Sequence, residues 1–282
     1  MPTIHELYES VIRDSLFARE NEVGLRDLIC CIQGYDEMSD FYLKKNAEIA
    51  DLPLFQSLLA RFLNGEPVQY LTNNAHFMGR RFYVDQRVLI PRMETEEVVG
   101  IAIKKIRELY FDKNIVVADI GTGSGAIAIS LKKEFASARV IASDTSLAAL
   151  EVAKTNAAKH KTEIQFLSGN GLEPYLFNGL ELDVIVSNPP YITNISEIDA
   201  SVIAYEPYSA LVDESDMAFY KNIFKLHQTI CRYPFLMIFE IGHDMRGKIE
   251  SEMKSNFSNA KWEIIQDINK NDRILSIYIE KE

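Results

Sequence analysis

The residues of the sequence that point most directly to chemistry are Asn188, Pro189, Pro190 and Tyr191. They follow the apolar run 183–187, which predicts a buried strand, so they lie where that strand ends. Two successive prolines present carbonyl oxygens without an N–H, an asparagine adds an amide acceptor, and a tyrosine adds an aromatic wall. Such acceptors fit an –NH2 group on a planar substrate. By accepting its hydrogens, they would polarise a poor nucleophile and orient it towards an electrophilic methyl group. A plain turn after a buried strand is the alternative.

A glycine-rich loop after an earlier predicted strand, 115–120, is the second candidate site. Its residues are Gly121, Thr122, Gly123, Ser124 and Gly125. Glycines let a backbone approach a ligand closely, and the predicted helix that follows presents free N–H groups at its N-terminus. Asp144, at the end of the next predicted strand, would accept hydrogen bonds from both ribose hydroxyls of a nucleoside. The loop therefore predicts a cofactor that contains a nucleoside.

Two classes of cofactor fit this loop. The pattern Gly-x-Gly-x-x-Ala with a later acidic residue matches the dinucleotide fingerprint, so NAD competes with a methyl donor. Asp119 lies just ahead of the glycines, where a carboxylate would face an amino group better than a pyrophosphate. Gly125 adds a third close glycine before the helix. Both details favour a methyl donor over NAD.

Composition and charge limit the class of protein. The 282 residues are 47% hydrophobic and 25% charged, which is typical of a globular protein. Neither an apolar run near the ~18–20 residues of a membrane helix nor a signal peptide is visible, so we expect a cytoplasmic protein without membrane contact. A net charge of −11 argues against nucleic-acid binding. Three cysteines and five scattered histidines predict neither a disulfide framework nor a metal site.

Hydrophobic periodicity divides the chain into three parts. Residues 1–75 predict a helical bundle, in which Thr3-x-x-Glu6 has the form of a capping box, one helix ends at Gly34 and a shorter one covers 41–47. Residues 76–92 combine short aromatic and β-branched stretches, which predict a β-hairpin. The third part is 93–282.

Helical and strand-like segments alternate in the third part. The predicted helices are 94–110, 124–134, 146–159 and 216–230, and the predicted strands are 115–120, 139–143, 164–168, 183–187 and 235–241. This alternation predicts an α/β fold, with a mostly parallel sheet and helices on both faces. The strand-like segments 262–268 and 273–280 are joined by a short polar turn, so they must pair as an antiparallel hairpin.

Several segments together resemble one known family. They are GEPVQYL (65–71), VLIPRMETEE (88–97), DIGTGSGAIAISL (119–131), SNPPYI (187–192), Glu206-Pro207 with Leu211 following, and FEIG (239–242). Nearly the whole chain thereby resembles the class I S-adenosylmethionine-dependent methyltransferases, which have a Rossmann-like sheet. Within them it is similar to the protein-(glutamine-N5) methyltransferases of the HemK/PrmC type. Asn-Pro-Pro-Tyr alone is shared with DNA adenine and some RNA guanine methyltransferases, whereas GEPVQYL and IPR beside a helical N-terminal domain are more specific.

The resemblance implies how S-adenosyl-L-methionine would bind. The loop glycines would pack against its methionine portion, with Asp119 near the amino group and Asp144 on the ribose hydroxyls. In the family, an acidic residue after the third strand contacts the adenine amino group. Here Asn170, followed by Gly171, stands at that place, and its side-chain carbonyl could still accept a hydrogen bond.

The resemblance also implies the reaction. Asn188, which also borders the cofactor, and the Pro189 carbonyl would accept hydrogens of a substrate glutamine amide, and Tyr191 would line the slot. Methyl would pass directly from the sulfonium to the amide nitrogen, without a metal or a strong base. We expect Glu240 to end a strand near the site, in a structural role.

The implied substrate is the glutamine of the Gly-Gly-Gln loop in a class 1 peptide chain release factor. The helical domain and the basic hairpin would dock this partner, with Arg80, Arg81 and Arg87 meeting acidic groups; a solvated edge strand is the alternative for these arginines. We expect a monomer. Three other functions stay open: glutamine methylation of a ribosomal protein, methylation of a nucleic-acid amino group, and a scaffold that only binds the cofactor.

Overall fold

The computed structural model describes residues 1–111, 113–213, 217–257 and 259–280. Within these residues the chain forms two compact units. The first unit comprises Met1–Asn74 together with Asp199–Tyr205, and the second comprises the rest of the described chain. The segment 199–205 lies outside the N-terminal domain that the sequence predicts. It belongs to the first unit, in which the Tyr205 hydroxyl donates to the Asn64 carbonyl (3.3 Å).

The helices and strands are numbered in chain order. The α-helices are α1 (Ile4–Asp14), α2 (Leu16–Glu20), α3 (Glu22–Gln33), α4 (Met38–Leu43), α5 (Leu52–Leu63), α6 (Val68–Leu71), α7 (Met93–Leu109), α8 (Ala126–Glu134), α9 (Leu147–Lys159), α10 (Glu173–Phe177), α11 (Ala200–Tyr205), α12 (Ala218–Leu226) and α13 (Arg246–Asn256). Short 3₁₀-helices lie at Ile195–Glu197, Tyr208–Ala210 and His227–Thr229. The strands are β1 (Ala75–Phe77), β2 (Arg80–Phe82), β3 (Val116–Ile120), β4 (Arg139–Asp144), β5 (Gln165–Ser168), β6 (Leu182–Ser187), β7 (Cys231–Glu240), β8 (Lys261–Gln266) and β9 (Asp272–Ile279).

The first unit is helical, as the sequence predicts. The capping box of α1 is confirmed: the Glu6 N–H donates to Thr3 Oγ1 (3.2 Å), and the Thr3 N–H donates to the Glu6 carboxylate (2.8 Å). Helix α4 differs from the predicted 41–47 and ends at Leu43. The backbone carbonyls of Lys45 and Ala47 instead accept hydrogen bonds from the first N–H groups of α1, so this stretch is not helical.

The second unit is built on a seven-stranded sheet in the order β5-β4-β3-β6-β7-β9-β8. Strands β3 to β7 pair in parallel, and β9 pairs antiparallel with both β7 and β8. The predicted α/β fold with its antiparallel C-terminal hairpin is therefore confirmed. Strand β3 shows why the sheet is covered on both sides. Its Val117 and Ala118 lie in two different hydrophobic clusters, because successive side chains point to opposite faces.

Helices α7 and α8 contribute to one cluster, and α12 and α13 to the other.

The predicted hairpin at 76–92 is confirmed only over β1 and β2, where Phe77 pairs with Arg80. Beyond β2, the backbone N–H and carbonyl of Tyr83 bond to the carboxamide of Asn156 on α9 (2.7 and 2.9 Å), so a side chain replaces a partner strand. Among the described residues, every helix is too short or too polar to cross a bilayer.

Candidate active site

The candidate site lies where the chain order of the strands reverses. From β3, the chain continues through β4 and β5 on one side of the sheet, and β6 and β7 lie on the other side. Connections diverge at such a switch point, so the carboxyl ends of β3 and β6 border a crevice. A cavity of about 780 Å³ occupies this place.

Most of the sequence-predicted site residues line this cavity. They are Gly121, Thr122, Gly123, Ser124, Asp144, Asn170, Gly171, Asn188 and Pro190. The other four, Asp119, Gly125, Pro189 and Tyr191, are not among the described residues of its wall. Neighbouring strands thus bring the glycine loop and Asn188 to one cavity, although Gly123 and Asn188 are 65 positions apart in the sequence.

The glycine loop is held by its own backbone. The N–H groups of Gly121 and Thr122 both donate to the carbonyl of Ser143 at the end of β4 (2.8 and 2.9 Å). Apart from the adjoining residues, no atom of the described chain lies within 4 Å of the position that a Cβ would take at Gly121 or Gly123. Because both residues line the cavity, a ligand can approach the backbone closely there.

Gly125, which the resemblance places against the cofactor, lies against other protein atoms in this structure. A Cβ added at Gly125 would lie 3.2 Å from the Cβ of Ala153 and 3.3 Å from Ile129. Its φ of +82° also belongs to the left-handed region, which L side chains rarely adopt. Gly125 therefore allows α8 to begin close against α9, and it packs against protein rather than lining the cavity.

Asp119 is fully buried behind the loop. Its Oδ2 accepts hydrogen bonds from Thr122 Oγ1 (2.6 Å) and from the Ala128 N–H (3.0 Å), so it ties the loop to the first turn of α8. Its Oδ1 has no hydrogen-bond partner among the described residues. Burial raises the pKa of Asp119 to about 7, and the nearby Asp144 adds to the rise. The predicted contact of Asp119 with an amino group of the cofactor stays a prediction.

Asp144 ends β4 at the cavity wall. Its Oδ2 accepts from the Gly123 N–H (2.9 Å), and its Oδ1 accepts from the Ser146 N–H (2.8 Å). Burial raises its pKa, while these N–H groups favour the charged form. The carboxylate therefore connects the glycine loop to the start of α9 and retains lone pairs for ligand hydroxyls.

Asn170 and Gly171 line the cavity after β5. Asn170 is exposed, and its backbone carbonyl accepts from the Glu173 N–H at the start of α10 (3.1 Å). Asn222, on α12, also lines this part of the cavity and was not predicted; its Nδ2 lies 3.6 Å from where a Cβ of Gly171 would be. Nothing in the local sequence of α12 marks Asn222 as a wall residue.

Asn188 is held by side chains from two other elements. Its Nδ2 donates to the hydroxyl of Thr95 (2.9 Å), in the first turn of α7. Thr95 Oγ1 in turn donates to Oε2 of Glu240 (2.6 Å), at the end of β7. Burial raises the pKa of Glu240, and the hydrogen bond from Thr95 and the charge of Arg273 oppose the rise. The sequence predicted that Glu240 would lie near the site, but no role for Thr95.

Tyr191 is not among the described residues of the cavity wall, and the predicted contact of its ring with the substrate stays a prediction. Its hydroxyl donates to Glu240 Oε1 (3.1 Å) and accepts from Arg273 Nη1 (3.3 Å). The Arg273 guanidinium lies 5.8 Å from the centre of the tyrosine ring, within cation–π distance. Burial raises the pKa of Tyr191, so its hydroxyl remains a donor.

An ion pair that the sequence did not predict lies at the cavity wall. Glu206, almost fully buried, accepts from Arg92 Nη2 (2.5 Å) and from the Ile90 N–H (3.0 Å). Arg92 lines the cavity, and so does Pro207, which follows the carboxylate. The resemblance contained both segments, IPR and Glu206-Pro207, but a pairing between positions this far apart cannot be read from either segment alone.

The fold and the site define the class of protein first. Residues 103–205 match the methyltransferase small domain family. A crystal structure of a methyltransferase from Pyrococcus furiosus is similar to this one with a TM-score of 0.50 and 14% identity, covering 80% of this chain and 100% of that chain. Together with the strand order and the glycine loop, these matches show the Rossmann-like fold of a methyltransferase domain.

The curated relatives then define the family. The release factor glutamine methyltransferase of Staphylococcus aureus is 41% identical, and the match covers 79% of each chain. That of Bacillus anthracis is 32% identical over 97% of this chain and 99% of its own length. The chain therefore belongs to the release factor glutamine methyltransferase family.

Proposed function

We propose that this chain transfers the methyl group of S-adenosyl-L-methionine to the side-chain amide nitrogen of the glutamine in the Gly-Gly-Gln loop of a class 1 peptide chain release factor. The observation that supports this most is the orientation of Asn188. Its amide nitrogen is used within the protein, by donation to Thr95, which leaves Oδ1 as an acceptor on a residue that lines the cavity. A glutamine amide offers the matching N–H donors.

The residues of the glycine loop fit the methyl donor. Gly121 and Gly123 leave space for a ligand against the backbone, and Asp144 offers a carboxylate to the ribose hydroxyls. The cavity of about 780 Å³ lies within the roughly 300–1,000 Å³ that small-molecule sites occupy. When bound, S-adenosyl-L-methionine supplies an electrophilic methyl group on a sulfonium.

The contribution of the protein to the reaction is positioning and polarisation. An amide nitrogen is a poor nucleophile, because its lone pair is delocalised into the carbonyl. Asn188 Oδ1 would accept one of its hydrogens, which increases electron density on nitrogen and fixes its direction of approach. The contact of the second hydrogen with the backbone carbonyl of Pro189 stays a prediction, because Pro189 is not among the described residues of the cavity wall. The amide becomes acidic only after methylation, so water can take the proton and no strong base is required.

The helical unit and the β1–β2 hairpin are the surfaces that we propose for docking the release factor. Arg80 and Arg81 lie on β2 and are half-buried. Arg87 is already paired with Asp85, to which its Nε and Nη2 both donate (2.8 and 2.6 Å), so it contributes less than its charge suggests.

Mass spectrometry of an unmethylated release factor tests the proposal. After incubation with this protein and S-adenosyl-L-methionine, we expect one added methyl group, assigned by fragmentation to the loop glutamine. A release factor in which alanine replaces that glutamine should gain none. Absence of methylation while the protein still binds the cofactor would contradict the proposal. A parallel incubation with ribosomal proteins would then show whether the acceptor is of that kind.

A further inference from the structure

Three buried or half-buried side chains form a continuous hydrogen-bonded series behind the cavity wall. Asn188 Nδ2 donates to Thr95 Oγ1 (2.9 Å), and Thr95 Oγ1 donates to Glu240 Oε2 (2.6 Å). Thr95 is 5% exposed and Glu240 is 1% exposed. Tyr191 donates to the second oxygen of the same carboxylate (3.1 Å). We call Thr95 and Glu240 the relay pair.

The direction of hydrogen bonding in this series follows from the proton count of each group. A carboxylate can only accept, and the threonine hydroxyl has a single proton. Once that proton is given to Glu240, Thr95 can only accept from Asn188. Only the NH2 end of the asparagine carboxamide can donate, so this end faces Thr95 and the carbonyl end is left for the cavity.

Without the carboxylate, both orientations of the asparagine amide would be available. A hydroxyl that is not committed to an acceptor could donate to Oδ1 of Asn188, and the NH2 group would then face the substrate. An NH2 group cannot accept a hydrogen from a glutamine amide. The relay pair therefore distinguishes the productive orientation of Asn188 from the reversed one.

We propose that Thr95 and Glu240 are positioning residues for methyl transfer, which orient the carbonyl oxygen of Asn188 towards the substrate amide. This inference rests on the proposed function, in which that oxygen accepts from the glutamine. The relay pair acts through Asn188 and needs no contact with substrate or cofactor. The register of the sheet supports the arrangement, because Ser187 and Phe239, which pair across β6 and β7, directly precede Asn188 and Glu240.

Two substitutions interrupt the relay in different ways. Thr95→Val keeps the shape of the side chain but removes the hydroxyl. Glu240→Gln keeps the size of the side chain but can donate to Thr95, so the reversed orientation of Asn188 becomes available. Thr95→Ser keeps the hydroxyl and should preserve the hydrogen bonds to Asn188 and Glu240. Thr155→Val, on α9, is the matched control, since the exposed Thr155 hydroxyl donates to the backbone carbonyl of Glu151 (2.8 Å) and Thr155 is not among the described residues of the cavity wall.

The experiment measures kcat for methylation of a release factor, the Kd of S-adenosyl-L-methionine by calorimetry, and Tm. We expect Thr95→Val and Glu240→Gln each to lower kcat by about 10- to 100-fold, the size of effect seen when a hydrogen bond that orients a metal ligand is lost. Cofactor Kd and Tm should stay near those of the wild type. The double variant should lose little more than either single variant, because both interrupt one series. Thr95→Ser and Thr155→Val should stay within about threefold of the wild-type kcat.

Two results would overturn the inference while leaving the proposed function intact. One is an active wild type whose kcat is matched within about threefold by both Thr95→Val and Glu240→Gln. The other is a loss of kcat in Thr95→Ser as large as that in Thr95→Val. A loss of kcat that comes with a weaker Kd for the cofactor or a lower Tm would count in the same way, since that pattern indicates a structural role. An inactive wild type would overturn the proposed function and, with it, the role of the relay pair.

Discussion

The two halves of the cavity are built in different ways. In the glycine-loop half, at the ends of β3 and β4, backbone groups make the contacts: the N–H groups of Gly121 and Thr122 donate to a backbone carbonyl, and that of Gly123 donates to Asp144. In the Asn188 half, at the ends of β6 and β7, side chains make them. There Thr95 bonds to partners 93 and 145 residues away in sequence.

This difference indicates what each half can tolerate. A site built from backbone requires a conformation, so substitution is tested by steric fit and strain. A site built from side chains requires specific atoms, so substitution is tested by the loss of a donor or an acceptor. The two halves should therefore fail separately, one in cofactor binding or folding and the other in methyl transfer alone.

The largest effect that we expect belongs to the Asn188 half. Asn188→Ala removes the acceptor for the substrate amide and should lower kcat by about 10²–10³-fold, comparable to the loss of one preorganised polar group in other active sites. Steady-state methylation of a release factor measures this change. Cofactor Kd should change by less than about threefold if the halves are separable.

Asn178→Ala is the matched control for this substitution. Asn178 directly follows α10, its Nδ2 donates to the backbone carbonyl of Pro174 (2.7 Å), and it is not among the described residues of the cavity wall. It should retain the wild-type kcat. A wild-type kcat in Asn188→Ala as well would contradict the assignment of the Asn188 half.

The next effect belongs to the glycine-loop half. Gly125→Ala forces a Cβ against Ala153 at a positive φ, and it should lower the free energy of unfolding by about 2–4 kcal/mol. Gly179→Ala is the control. Gly179 also has a positive φ, but among the described residues beyond its chain neighbours no atom lies within 4 Å of its Cβ position, so only the backbone strain of about 1–2 kcal/mol applies. Urea denaturation measures both. Equal losses at the two positions would show that close packing at Gly125 is unimportant.

The pH dependence of stability tests the buried carboxyl behind the loop. Because burial raises the pKa of Asp119 from 3.8 to about 7 in the folded chain, its contribution to stability is present below pH 3.8 and is lost as the pH rises through about 7. Asp119→Asn removes this titration, so the variant should gain stability relative to the wild type between pH 5 and pH 8. Denaturation curves at several pH values measure the difference. A constant difference would indicate that Asp119 has an ordinary pKa.

The smallest effect concerns the docking surface. Reversing the charges of Arg80 and Arg81 to glutamate should raise the KM for the release factor by about two- to fivefold at low salt, because charges at the rim of an interface mainly affect encounter. The Kd of S-adenosyl-L-methionine should not change, and the difference in KM should shrink at high salt. An unchanged KM at low salt would favour a merely solvated strand.

Local motifs made much of the fold and part of the site predictable. The glycine loop and the Asn188–Tyr191 run are contiguous, and the end of a parallel strand is a known place for a ligand, so the two could be assigned to one crevice. The use of Gly125 could not be predicted, because a cofactor contact and helix packing both require a glycine at positive φ. Thr95 and Glu240 each have an ordinary local explanation, a helix first turn and a strand end. Only the folded chain brings them together.

Helix α13 was not predicted from the sequence, because its residues too give little local signal. Helix α13 has only Ile249 and Met253 as buried residues, so its sequence lacks the apolar periodicity by which helices are recognised. Tyr191 illustrates the same limit for a side chain. Its type and position suggested an aromatic wall, but its hydroxyl donates to the buried carboxylate of Glu240, and Tyr191 is not among the described residues of the cavity wall.

The most direct test is a crystal structure of this protein with S-adenosyl-L-homocysteine and a glutamine-containing peptide from the release factor loop. The distance to measure joins the glutamine amide nitrogen to Asn188 Oδ1. We predict a hydrogen bond of about 2.9 Å, with Asn188 Nδ2 still on Thr95 and the glycine loop around the cofactor. A glutamine bound elsewhere, or one that faces Asn188 Nδ2, would contradict the assignment of the two halves of the cavity.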